Sequence, residues 1–299
     1  MSFASQVKAE LAQLSPASLC CRKAQAYGMA QGGHSFGRGG VSLQTENQTI
    51  ALLYRALLTE VTGADFRLQQ PSGERGFYLV CTATQQDTAR VLAAFGHSEK
   101  DVAVRLNRAN LECDGCAPAY LRGLFLSCGT VSNPQSSYHL ECCVPYYNLS
   151  RDLPHLFAEA GIRVRCVRRK GDHILYVKES EQIEDCLTVM GAVNATLELM
   201  NVKLVKDIRN KTNRVINCEN ANIDKTVAAA AAQLQAVNRI RQKTGGLDAL
   251  PPELRELAEL RLQNPDMSLR ELGQALETPI SRSGVNHRMQ RILAFAQEV

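Results

Sequence analysis

Hydrophobic residues recur at helical spacing in three short segments near the C-terminus. The first segment follows Pro251-Pro252 and stops at Asn264-Pro265; proline is tolerated in the first turn of a helix because its missing N–H would have no partner there. The second begins with Ser268, followed three residues later by Glu271, which is the spacing of a capping box. The third begins near Ser281. The pattern therefore predicts three helices of about 14, 9 and 16 residues, joined by short turns.

Three such helices are typical of a helix-turn-helix module, which we expect at residues 247–299. In this module the N-terminal part of the third helix enters the major groove, where arginine suits guanine and asparagine suits adenine. Segment 279–293 has three arginines, one histidine and no acidic residue, whereas a merely solvated helix face usually mixes both signs. The alternative is a helical bundle that docks on a protein, such as RNA polymerase or another transcription regulator. The predicted DNA-contacting residues are Ser268, Arg270, Ser281, Arg282, Ser283, Asn286, His287, Arg288 and Arg291.

The front two-thirds of the chain contains an internal repeat. The chain reads AYGMAQGGH around Gly28 and YLRGLFLSCG around Gly123, and each glycine lies in a predicted helix. Each of these helices is followed by two strands, a helix, two strands and a helix, with a turn at Pro71-Ser72-Gly73 in the first copy. The copies cover about 20–96 and 117–191. They predict an α+β domain over residues 1–200 with two antiparallel sheets.

Composition and charge narrow the possible functions only slightly. Hydrophobic residues make up 45% of the chain and charged residues 21%, so we expect folded domains rather than disorder. Aromatic residues are 5% with no tryptophan, so an aromatic surface for stacking single-stranded bases is not expected. The net charge of +4 permits nucleic-acid binding without requiring it. Neither a secretory signal nor a membrane span is expected, which predicts a cytoplasmic protein.

Residues 201–246 are predicted to connect the two domains. The segment is basic and rich in asparagine, and it leads into an alanine-rich helix from about residue 225 to 243. Asparagine competes with helical hydrogen bonding, so segment 217–222 predicts a turn before that helix. Three of its cations are predicted as possible phosphate contacts, which bind without reading sequence: Arg209, Lys211 and Arg214.

Eleven cysteines are present, an odd total that does not suggest a disulfide framework. Cys113 and Cys116 are spaced so that both thiolates could reach one zinc ion. A tetrahedral site needs two further ligands, and no second C-x-x-C or H-x-x-x-H follows. We therefore predict no bound metal and no cofactor, and we expect the cysteines to act mainly as small buried apolar residues.

The duplicated unit, with AYGMAQGGH and YLRGLFLSCG in its two central helices, resembles the LAGLIDADG homing-endonuclease fold. With the helix-turn-helix that follows, the whole chain resembles the bacterial WhiA family. The stretches RNKTNRVINCENANIDKT and PISRSGVNHRM are among those that carry this resemblance. It implies a nucleoid-associated regulator that binds double-stranded DNA and acts in cell division, chromosome segregation and sporulation transcription.

The resemblance also raises the possibility of DNA cleavage by a homing-type endonuclease. Such a nuclease needs a carboxylate at the C-terminal end of each central helix, because the pair holds a divalent metal ion against the scissile phosphates. The resemblance places these two positions at Gly33 and Cys128, and neither is acidic. Glu46 and Glu141 lie on nearby predicted strands but would have to replace both ligands from another direction. We therefore expect no nuclease activity.

Overall fold

The computed structural model describes residues 2–71 and 76–299 of the chain. The chain forms two compact units, Met1–Lys206 and Asp207–Val299, which we call the N-terminal unit and the C-terminal unit. The last two residues of the predicted turn at Pro71-Ser72-Gly73 lie outside the described residues. Within the described part of the chain, no helix combines the length and the apolar character that crossing a membrane requires.

The N-terminal unit contains the same succession of elements twice, as the repeat predicted. One additional helix precedes the first copy, and a single turn of 3-10 helix, Arg108–Asn110, lies between the copies. The helices are α1 (Phe3–Ala12), α2 (Leu19–Gln31), α3 (Gln48–Thr62), α4 (Gln85–Ala94), α5 (Cys116–Cys128), α6 (Tyr147–Glu159) and α7 (Ser180–Met190). The strands are β1 (Ser35–Gly37), β2 (Gly40–Thr45), β3 (Phe66–Gln69), β4 (Tyr78–Thr82), β5 (Gly129–Val131), β6 (Leu140–Val144), β7 (Arg165–Arg169) and β8 (Asp172–Val177).

The two four-stranded sheets share one topology. Their strand orders are β1-β2-β4-β3 and β5-β6-β8-β7, and every neighbouring pair is antiparallel. In the central pairs, Leu43 lies opposite Val80 and Cys142 opposite Leu175. All four of these side chains are buried, because alternate residues of a strand face the helices that cover the sheet. The predicted duplicated αββαββα architecture is confirmed.

Helices α2 and α5 pack against each other at the middle of this unit. A Cβ placed on Gly28 would overlap the carbonyl oxygen of Tyr120, and one placed on Gly123 would overlap that of Gln25. Glycine therefore allows the two backbones to touch. The buried Tyr120 hydroxyl donates a hydrogen bond of 2.6 Å to Gln31 Oε1, which satisfies both polar groups at this interface.

A single helix, α8 (Val193–Thr244), replaces the predicted connector. The turn predicted at segment 217–222 is therefore wrong, and the alanine-rich helix simply continues from residues upstream. An asparagine in a helix costs at most about 0.7 kcal/mol relative to alanine, and the surrounding alanines, lysines and arginines are strong helix formers. The side chains of residues 207–229 are exposed, so these asparagines are in a position to hydrogen bond to water.

The C-terminal unit consists of the last part of α8 and three shorter helices. These are α9 (Pro252–Gln263), α10 (Leu269–Ala275) and α11 (Arg282–Glu298), in agreement with the three predicted helices. Their apolar faces enclose a small core with the end of α8. Its fully buried members include Val237, Ile240, Leu257, Leu272, Val285, Met289 and Ile292.

Candidate nucleic-acid interface

Serine hydroxyls fix the starts of the two helices of the predicted helix-turn-helix. Ser268 Oγ accepts a hydrogen bond of 3.3 Å from the Glu271 backbone N–H, and Glu271 Oε2 accepts one of 2.7 Å from the Ser268 N–H. This reciprocal pair confirms the capping box and lowers the pKa of the Glu271 carboxyl. Ser281 Oγ caps α11 by accepting from the Gly284 N–H at 3.2 Å. Both serines thus have a structural role as helix caps.

Close packing sets the turn between α10 and α11. The Ile280 N–H donates to the Gly273 carbonyl at 3.0 Å, and a Cβ on Gly273 would press against the Ile280 carbonyl and the Val285 side chain. A larger residue at Gly273 would therefore push the turn and α11 away from α10. Glycine at position 273 thus permits the close approach of the turn and α11 to α10.

The first turns of α11 present an apolar side to the core and a hydrogen-bonding side to solvent. Val285, Met289 and Ile292 are buried. Four of the predicted contact residues are exposed on the opposite side: Arg282, Ser283, Asn286 and His287. A helix that reads base edges needs an exposed polar face and a buried apolar face. Its hydrogen-bond donors and acceptors must remain accessible, while the apolar face packs against the core of the domain.

A groove of about 740 Å³ runs beside the start of α11 in the C-terminal unit. Its lining includes Ser268 and Arg270 at the start of α10, Arg282 and Asn286 on α11, and Lys225 on α8. We call it the basic groove, since Lys225, Arg261, Arg270 and Arg282 outnumber its one acidic residue, Asp266. The structure thus brings four of the predicted DNA-contacting residues together in one groove. It also adds Lys225, which the sequence pattern assigns to the connector and not to the helix-turn-helix.

The last two predicted arginines of α11 differ in accessibility. Arg288 has 20% of its side chain exposed, and its Nη2 lies 3.6 Å from Glu253 Oε2 on α9. Arg291 is exposed. Neither residue lines the basic groove. Three further predicted phosphate contacts are exposed on α8 and lie outside the groove lining as well: Arg209, Lys211 and Arg214.

One residue that supports the interface was missed by sequence reasoning. Arg261 is only 2% exposed, and its Nη1 donates to the carbonyl oxygens of Pro265 (3.2 Å) and Met267 (2.6 Å). These bonds hold the loop from α9 to α10, and burial lowers the pKa of the guanidinium. Arg261 continues the buried spacing of Leu254, Leu257 and Ala258, and this position on the apolar face was the available signal.

The two positions that lack carboxylates lie at the ends of α2 and α5, as predicted. A Cβ on Gly33 would overlap the Ser42 carbonyl oxygen, so an acidic side chain there would require the backbone to move. Cys128 donates from its thiol to the Leu124 carbonyl at 3.3 Å. The Lys8 ammonium of α1 is close enough to Cys128 and Cys142 to interact electrostatically, and burial lowers the pKa of Lys8. A cationic side chain at this place disfavours a bound divalent cation.

The cysteines are arranged differently from the prediction. Cys20 and Cys21, at the start of α2, lie next to Cys113 and Cys116, at the start of α5. The prediction that a metal site at Cys113 and Cys116 lacks two ligands is therefore wrong, because Cys20 and Cys21 of the first repeat lie within reach. Cys113 is also exposed rather than buried. Hydrogen bonds from its neighbours lower the pKa of Cys113 to about 7.

Comparisons with known proteins cover the whole chain. The WhiA LAGLIDADG-like domain matches residues 117–209, and the WhiA C-terminal HTH domain matches residues 212–296. A probable cell division protein WhiA from Clostridium botulinum (strain Hall) is 37% identical over 266 residues, which cover 86% of this chain and 84% of that protein. A protein of the same name from Desulforudis audaxviator is 36% identical over 307 residues, covering 100% and 98%.

A solved structure shares the fold over the full length. The crystal structure of full-length DUF199/WhiA from Thermatoga maritima matches with a TM-score of 0.59 and 21% identity, covering 100% of this chain and 99% of that one. The matching domains, their order and the identity to full-length relatives agree with one another. The chain belongs to the WhiA family.

Proposed function

We propose that this chain is a sequence-specific regulator that binds double-stranded DNA through α11 and does not cut it. The observation that carries the proposal is the exposed start of α11, where Arg282, Ser283, Asn286 and His287 face solvent beside the basic groove. The names of its relatives support a role in cell division. We extend the proposal to chromosome segregation, to sporulation transcription and to association with the nucleoid.

The two parts of the interface have different tasks in this proposal. Arg282 and Asn286 hydrogen bond to base edges, because guanidinium and amide groups match guanine and adenine in the major groove. Arg270 and Lys225, on the other elements that line the basic groove, contact phosphates and set the position of α11 on the duplex. Arg209, Lys211 and Arg214 extend the phosphate contacts along α8.

Three features of the N-terminal unit support the absence of cleavage. Gly33 has no room for a carboxylate, Cys128 offers a thiol instead of one, and Lys8 lies beside Cys128. We expect full-length protein to leave supercoiled plasmid intact in the presence of Mg²⁺. Nicking that copurifies with the protein and persists through further purification would contradict this part of the proposal.

The binding experiment uses the full-length protein and an operator found by mapping its chromosomal sites. Arg282→Ala and Asn286→Ala should each weaken operator binding by about 1–3 kcal/mol, or about 5- to 150-fold, and affect an unrelated duplex much less. Arg282→Lys is the matched control, since it keeps the charge but loses the bidentate geometry. It should lower operator affinity and leave non-specific affinity nearly unchanged.

Two results would overturn the proposal. One is full-length protein that shows no salt-dependent binding to any duplex. The other is an operator affinity that the Arg282 and Asn286 variants leave unchanged, because α11 would then not be the reading element.

An adaptor that docks on RNA polymerase or another regulator is the second candidate. It is favoured by exposed apolar side chains on α8, among them Ile208, Val215 and Ile223. Under this alternative, Val215→Ser/Ile223→Ser would abolish the effect on transcription in a reconstituted system while operator binding stays intact. Under the DNA-reading proposal alone, the same variant would behave like the wild type.

A further inference from the structure

We propose that Cys20, Cys21, Cys113 and Cys116 bind one structural zinc ion, which crosslinks the starts of α2 and α5. Each residue offers one sulfur, and the four sulfurs lie within 4.8 Å of one another. Four cysteine thiolates in tetrahedral geometry are one of the ligand sets that hold structural zinc ions in proteins.

The sulfur separations agree with a single ion. A zinc–sulfur bond of about 2.3 Å implies that the sulfurs at the corners of a tetrahedron lie about 3.8 Å apart. Cys113 Sγ lies 3.6 Å from Cys20 Sγ, 3.5 Å from Cys21 Sγ and 3.5 Å from Cys116 Sγ, and Cys21 Sγ lies 3.9 Å from Cys116 Sγ. A cluster of two or more iron atoms would spread ligands on different irons farther apart than this set.

The residues around the thiols are arranged as in a metal-binding loop. Cys113 and Cys116 belong to one C-x-x-C turn, and the backbone of Gly115 hydrogen bonds to Cys113. A Cβ on Gly115 would lie 3.0 Å from Cys21 Sγ, so glycine keeps room for the converging sulfurs. Ser18 Oγ lies 3.4 Å from Cys20 Sγ. Hydrogen bonds of this kind orient ligands and stabilise thiolates.

The N-terminal ends of two helices lie at the cluster of thiols. Cys20 and Cys21 lie in the first turn of α2, and Cys116 is the first residue of α5. The N-terminal end of a helix carries a partial positive charge, so two such ends point their favourable field at the four sulfurs. The Arg122 guanidinium also interacts electrostatically with Cys21.

The proposed ion would have a definite structural task. Helices α2 and α5 cross at Gly28 and Gly123 with direct backbone contact. A crosslink at their N-terminal ends holds the crossing from one side, at the opposite ends of the helices from Gly33 and Cys128. Because a formed site exists only in the folded chain, metal binding adds to the free energy of unfolding.

The experiment measures zinc in the full-length protein, expressed with added zinc and purified with a phosphine reductant and no chelator. We expect one zinc ion per chain. The variant Cys20→Ser/Cys113→Ser should lose it, and this pair is chosen because Cys113 is exposed and Cys20 is not fully buried. The matched control, Cys166→Ser/Cys218→Ser, removes two exposed thiols elsewhere and should keep one zinc ion.

Three further measurements keep the test independent of folding defects. Circular dichroism should show the same helix content in both double variants. Cobalt added to the wild type and to the control should give the visible absorption of a tetrahedral thiolate site, which the Cys20→Ser/Cys113→Ser variant should lack. A strong chelator should lower the melting temperature of the wild type and leave that of the variant unchanged.

Several outcomes would overturn the assignment. These are a folded wild type without zinc, equal zinc content in the two double variants, iron in place of zinc, or disulfides joining the four cysteines in protein prepared under reducing conditions.

Discussion

The two units of this chain place their polar groups in opposite ways. In the N-terminal unit the distinctive groups lie between α2 and α5, as with the buried Tyr120–Gln31 hydrogen bond and the cluster of four thiols, of which only Cys113 is exposed. In the C-terminal unit they face outward, as with Arg282 and Asn286 on α11. The contrast suggests that the larger unit holds its shape with these groups while the smaller one uses them for recognition.

The contrast also predicts how substitutions behave. A side chain buried between two helices cannot be changed without loss of stability, because its partner is left unsatisfied or the backbones must separate. An exposed side chain on a helix with its own core can be changed with little loss of stability. Substitutions that change binding without changing stability should therefore be found in the C-terminal unit only.

The largest expected effect comes from the crossing of α2 and α5. Gly123→Ala should destabilise the N-terminal unit by about 3 kcal/mol or more, because the added Cβ overlaps the Gln25 carbonyl and the helices must move apart. The loss should appear as an earlier thermal transition and faster amide exchange in α2 and α5. Gly37→Ala is the control, since a Cβ there meets nothing within 4 Å. Equal stability of the two variants would refute the close crossing.

A smaller effect should distinguish structural from DNA-contacting arginines in the C-terminal unit. Arg261→Ala should cost about 2 kcal/mol of stability, since it removes charge-assisted hydrogen bonds to Pro265 and Met267. Arg270→Ala should change the stability by no more than about 0.5 kcal/mol and weaken duplex binding, because Arg270 is exposed at the basic groove. Thermal denaturation and duplex-binding measurements on both variants test this difference. A stability loss at Arg270 as large as at Arg261 would contradict the division.

The smallest expected effect concerns the end of α11. Arg291→Ala should lower the slope of log affinity against log salt by about one, the value for one lost phosphate contact. Arg288→Ala should lower it less, because Arg288 is mostly covered and already lies near Glu253. The ion pair between Arg288 and the exposed Glu253 adds only about a few tenths of a kcal/mol. Salt titrations of non-specific duplex binding measure both slopes, and a larger change at Arg288 would reverse this ordering.

Much of the architecture was predictable because it depends on local signals. The capping box at Ser268, the start of α11 at Ser281 and the glycines at 28 and 123 all appear in the sequence as short patterns with a direct physical meaning. The repeat indicated two similar sheets. The exception among local predictions was segment 217–222, where the helix propensity of the flanking residues exceeded the preference of asparagine for turns.

Of the candidate sites, the sequence specified the residue types of the α11 surface, since a helical period assigns each side chain to the core or to solvent. Only the tertiary structure joined Lys225 to the basic groove and put Lys8 near Cys128. Only the fold, likewise, brought Cys20 and Cys21 to Cys113 and Cys116. The physical reason is the same in each case: side-chain periodicity reports neighbours within one element, whereas these groups meet through the packing of elements that lie far apart along the chain.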